Sequence, residues 1–80
     1  MPQRYAALQA ELEAGRAKSE TLRSELAALE SLALDTEDVT SARCLREQIV
    51  MVNASLLREN IAMELTMSRM AALTRGHQRA

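Results

Sequence analysis

The side chains that could carry covalent chemistry are few and scattered. Cys44 is the only thiol and His77 the only imidazole in the 80 residues. A cysteine nucleophile needs a base within hydrogen-bond reach. If the segment between them is helical, as argued below, its rise per residue holds them ~50 Å apart within one chain. A zinc site needs about four Cys, His or carboxylate ligands at local spacing, and no such cluster surrounds either residue. Glu11 with Glu13, and Asp35 with Glu37 and Asp38, are carboxylate groupings. Acid–base work would require a pocket that drives their pKa values apart. A short chain of helical pattern supplies no such pocket, so they read as a solvated face and a helix cap. No glycine-rich phosphate loop occurs, since Gly15 and Gly76 are the only glycines. Asn53-Ala54-Ser55 fits the N-glycosylation pattern, but it falls mid-helix and we read it as chance. The expectation is a protein that is not an enzyme, with no catalytic residue, cofactor, metal or small-molecule substrate.

Composition points to the elements that remain. Hydrophobic residues make up 48%, charged residues 26% and aromatics 1%, with a single proline at position 2. Abundant Ala, Leu, Glu and Arg with almost no breakers is the composition of long helices. A sandwich or barrel would need β-branched and aromatic runs separated by turn residues, and these are missing. No apolar run approaches the ~20 residues that span a bilayer, and Met1-Pro2-Gln3-Arg4-Tyr5 shows no apolar signal core. A lone cysteine suits a reducing compartment. These features predict a cytoplasmic protein with no membrane partner.

Two helical segments follow. The first carries a heptad of apolar positions at Tyr5, Leu8, Leu12, Leu22, Leu26 and Leu29, with the three–four spacing of a coiled-coil seam. The heptad is interrupted at Gly15 and Ser19, where either the packing is weak, the reading preferred, or a bulky facing side chain fits the gap. The second carries Leu45, Ile49, Val52, Leu56 and Met63, continuing to Met67 and Met70. Between them, Asp35 or Thr36 can cap the second helix, with Glu37 and Asp38 in its first turn. Arg75 and Gly76 supply a C-terminal stop. The expectation is one all-α domain over 1–80, a two-helix antiparallel hairpin of coiled-coil type. Its parts are helix 3–33, turn 34–36, helix 37–75 and a frayed tail 76–80; one continuous bent helix is the alternative.

The second helix has apolar residues on two sides. At 100° per residue, Val50, Leu57, Ile61 and Leu65 fall nearly opposite the seam. One partner helix cannot cover both sides, so self-association or another chain is expected to complete a helical bundle. The partner-binding residues are therefore Val50, Leu57, Ile61 and Leu65, extended by Met67, Met70 and Leu73 on a stretch expected to overhang the first helix. Residues 1–40 carry a net charge of −4 and residues 41–80 a net +3, which favours folding back. Arg69, Arg75, His77 and Arg79 are too sparse for a nucleic-acid footprint, so a small nucleic-acid-binding regulator is the remotest alternative.

The two seams, Tyr5 to Leu29 and Leu45 to Met70, give the chain a layout that resembles the helical-hairpin co-chaperones of bacterial type III secretion needle subunits. Those are small chains of two antiparallel helices that hold a partner chaperone and a self-assembling helical subunit. The resemblance is one of architecture and carries no functional residue across. It implies a co-chaperone that masks a helical client, as an alternative to an assembly subunit or adaptor.

Overall fold

The structure, a computed structural model, describes the backbone of residues 2–79 and the side chains of residues 3–76. Two α-helices, α1 (Pro2–Asp35) and α2 (Val39–Arg79), pack antiparallel as a hairpin. The hairpin is a rod of 63 × 14 × 13 Å. Both helices follow from the sequence. Pro2 sits at the start of α1, where its missing N–H costs nothing. Thr21 is the only β-branched residue of α1, so little in its 34 residues resists helix formation. Neither helix is long and apolar enough to cross a membrane.

The turn lies at 36–38, two residues later than the spacing suggested, and its chemistry explains the difference. Asp38 is the cap. The backbone N–H of Ser41 donates to Asp38 Oδ2 at 3.0 Å, and the Ser41 hydroxyl donates to the same oxygen at 2.8 Å. The N–H of Ala42 donates to the Asp38 carbonyl at 2.9 Å, closing the first turn of α2. Asp35 has no comparable offer, because the residue three places on is another carboxylate, Asp38. It ends α1 instead. The Thr36 hydroxyl donates to the Leu32 carbonyl at 2.6 Å and satisfies one acceptor of the last turn. Hydrogen bonds from the Ser41 amide, and then from its hydroxyl, hold the Asp38 carboxyl below its ordinary pKa.

This later turn slides the pairing by about one helical turn and corrects the expected overhang. Met70 and Leu73 are half-buried, and Leu73 lines a groove with Arg4, Ala7 and Leu8 of α1. Both belong to the intrachain seam. The helix also continues through Gly76, whose φ is negative, so the expected stop there is not used. The side chains of His77, Gln78 and Arg79, and the whole of Ala80, all in the expected tail, lie outside the described residues.

The seam is thin. Leu12 is the one large apolar side chain that is buried rather than half-buried or exposed among the described residues. Tyr5, Leu8, Leu22, Leu26 and Leu29 of α1 are half-buried, as are Leu45, Ile49, Val52, Leu56 and Met63 of α2. The interruption at Gly15 is a socket and not a slack stretch. A Cβ there would lie 2.8 Å from Met63 Cγ and 3.2 Å from Glu59 Oε1. Met63 therefore fills the space that a larger residue would take. Beside it Ser19 is 2% exposed, and its Oγ has no hydrogen-bond partner among the described residues. Thr66, also buried, donates its hydroxyl to the Ala62 carbonyl at 3.0 Å. Lys18 Nζ lies 3.6 Å from Glu59 Oε2 across the same layer. With the lysine largely exposed, that pair contributes ~1 kcal/mol or less.

Two outcomes are expected. Gly15→Ala gains about 1 kcal/mol of helix propensity but displaces Met63, so urea unfolding should show a net loss of stability. In a Met63→Ala background the same change should stabilise; additive effects across this cycle would exclude the socket. For the cap, a lowered carboxyl pKa contributes stability that is present above the ordinary carboxylate range and lost as pH falls through the lowered value. Asp38→Asn keeps a capping oxygen without the charge. Its stability deficit relative to the wild type should therefore shrink between pH 5 and pH 2 in thermal melts.

Candidate partner-binding face

The side of α2 turned away from α1 is apolar. Val50, Leu57, Ile61 and Leu65 recur in steps of seven, four and four, which keeps them on one side of a helix. They are exposed by 66%, 62%, 50% and 55% respectively. Ala54 and Ala72 extend the stripe, and Met51 stands exposed on its rim. Helix α1 cannot reach this side, because Leu45, Val52, Leu56 and Met63 already hold the opposite side of α2 against it.

The outer side of α1 is of another kind. Ala6, Ala10, Ala14, Ala17 and Ser24 are all exposed and small. Leaving alanines in water forgoes little apolar burial, so this side has little need of a partner. The contrast places the uncovered apolar surface on α2 alone, except at the turn. There Leu32, Leu34 and Val39 are exposed, Leu34 by 87%. The sequence reading missed these three. Leu32 and Leu34 fall off the heptad of α1, which was the available signal.

Charged groups border the stripe without covering it. Arg46 Nε donates along its own helix to the Ala42 carbonyl at 3.4 Å. Arg58 Nη2 donates to Ser55 Oγ at 3.3 Å, away from the stripe. Met67 lies elsewhere than expected. It borders an open groove of about 630 Å³ between the helices, with Leu12, Ser19, Asn60 and Met63. It is a rim residue of the seam, not part of the outer face. Asn60 is half-buried in that groove, whereas Asn53 is exposed.

Cys44 is exposed. Among the described residues, no three His, Cys, Asp or Glu side chains converge on a point that could hold a metal ion. The arrangement offers an apolar strip rimmed by charges, suited to receiving another helix. No protein-family model, curated protein or solved structure matches the chain.

An apolar fluorescent dye should bind this strip. Leu57→Asp with Ile61→Asp should remove most of the dye signal while circular dichroism stays strongly helical. An unchanged signal would place the accessible apolar surface at the turn.

Proposed function

We propose that this protein is a non-catalytic helical interaction module, an assembly subunit or adaptor that presents the outer face of α2 to another helix. The observation that supports this most directly is the continuous exposure of Val50, Leu57, Ile61 and Leu65 on a chain with so thin a seam. Burying a large aliphatic side chain completely gives roughly 1.5–3 kcal/mol. These four already have part of their surface covered, so each stands to gain a fraction of that. Together the gain is several kcal/mol, comparable with the whole stability of a small domain at about 5–15 kcal/mol. A helix laid along the stripe would receive side chains at its own three–four spacing. An exposed single thiol at Cys44 is compatible with work in a reducing cytoplasm.

A co-chaperone that masks a helical client would use the same face. The thin seam supports this second reading, since such a chain would gain stability from its client. It calls for a fixed, different partner and poor stability of each component alone.

The test is the double variant Leu57→Asp, Ile61→Asp, compared with the wild type by co-elution and circular dichroism. Assembly or partner capture should be lost while the chain remains helical. A double variant that assembles as the wild type does would remove the outer face of α2 from consideration.

A further inference from the structure

The charges along the rod say what lies on this face, and the spacing of the stripe says how. The turn end carries Glu30, Asp35, Glu37 and Asp38 against Arg43 and Arg46, four negative charges to two positive. The open end carries Arg4, Arg69 and Arg75 against Glu11, with Arg4, Arg69 and Glu11 bordering one groove there. The rod is therefore acidic at one end and basic at the other. Laid parallel, two such rods would put like charge beside like at both ends. Laid antiparallel, each acidic end would lie beside a basic one.

The stripe itself reads nearly the same in both directions. Val50 and Leu65 are equidistant from a point between Leu57 and Arg58, and so are Ala54 and Ile61. An isologous interface needs this self-complementarity, because residue i meets residue j while j meets i. From these features, and resting on the reading of the outer face above, we infer that its occupant is a second copy of this chain, antiparallel, with the twofold axis between Leu57 and Arg58.

In that arrangement Val50 meets Leu65 of the second copy and Ala54 meets its Ile61, while Leu57 lies within about one residue rise, ~1.5 Å along the axis, of its own counterpart. A small residue faces a large one in each Ala54–Ile61 pair, so the layers interdigitate. Glu47 and Arg69 lie on the same flank of the stripe. Antiparallel packing brings Glu47 within about one residue rise, ~1.5 Å along the axis, of Arg69 of the second copy. This happens once at each end. Arg75 comes level with the turn of the second copy, near its Asp38. Two kinds of like-charge meeting oppose the arrangement: Arg58 with its counterpart at the axis, and Arg46, which comes level with Arg69 of the second copy at each end but on the other flank of the stripe. The Arg58 guanidinium is already turned toward Ser55, clear of the stripe.

The experiment uses the full chain. Light scattering behind size exclusion should give twice the 8.9 kDa of one chain. Glu47→Arg and Arg69→Glu should each weaken association about tenfold, since each reversal acts at both ends. The two together should restore it. Orientation is read by disulfide trapping in a Cys44→Ser background. Val50→Cys chains mixed with Leu65→Cys chains should cross-link to each other. Two Val50→Cys chains should not self-link, being ~22 Å apart along the axis. Self-linked Val50→Cys dimers would overturn the antiparallel arrangement, and a double reversal as weak as the singles would overturn the register. A chain that stays monomeric at every concentration would overturn the second copy as occupant. The face would then stand or fall separately, on whether the monomer holds a different helical partner that Leu57→Asp with Ile61→Asp releases.

Discussion

A helix packed against one other helix can bury only one of its sides. Nearly everything in this hairpin follows from that constraint. Among the described residues, the large apolar side chains of the seam are half-buried and Leu12 alone is buried, because no third element closes the seam. Helix α1 is built for this situation, with leucines inward and alanines outward. Helix α2 is not: it leaves Val50, Leu57, Ile61 and Leu65 exposed on the side turned away from α1.

Within the seam, register is fixed at two places. Asp38 sets where α2 begins by drawing both donors of Ser41 onto one carboxylate oxygen. Gly15 sets the far half by admitting Met63 where any side chain would obstruct it. Between them the leucine layers are similar enough to tolerate a slip. Ser19 and the Lys18–Glu59 pair add a polar layer beside the Gly15 socket, and Thr66 adds a second buried hydroxyl two turns further along α2.

Fold class and the two apolar sides of α2 were legible in the sequence, because periodicity over long helices is a strong signal. The turn was not, because Asp35, Thr36 and Asp38 are all acceptable caps in isolation. Which one wins depends on Ser41 three places later, a local detail that the neighbouring acidic residues obscure. The two-residue error carried Met70 and Leu73 to an overhang when they belong to the seam. Gly15 was misread for a different reason. A glycine in a heptad can be a weak stretch or a socket for a bulky side chain; the sequence alone favours the weak stretch, and nothing in the local sequence names Met63 as the residue that fills the socket.

The shortness of the link between α1 and α2 also shapes how the hairpin forms. Residues beside the turn are close in sequence and meet at little entropic cost, whereas the contact of Gly15 with Met63 closes a long loop. Non-local contacts of that kind slow folding relative to helical proteins that use only neighbours. Assembly is expected to start at the Asp38 turn and zip toward the termini. A chain zipped one heptad out of step would meet its obstruction late, when Met63 arrives opposite a side chain larger than glycine. Gly15 thus makes the closing of the far half of the seam sensitive to register.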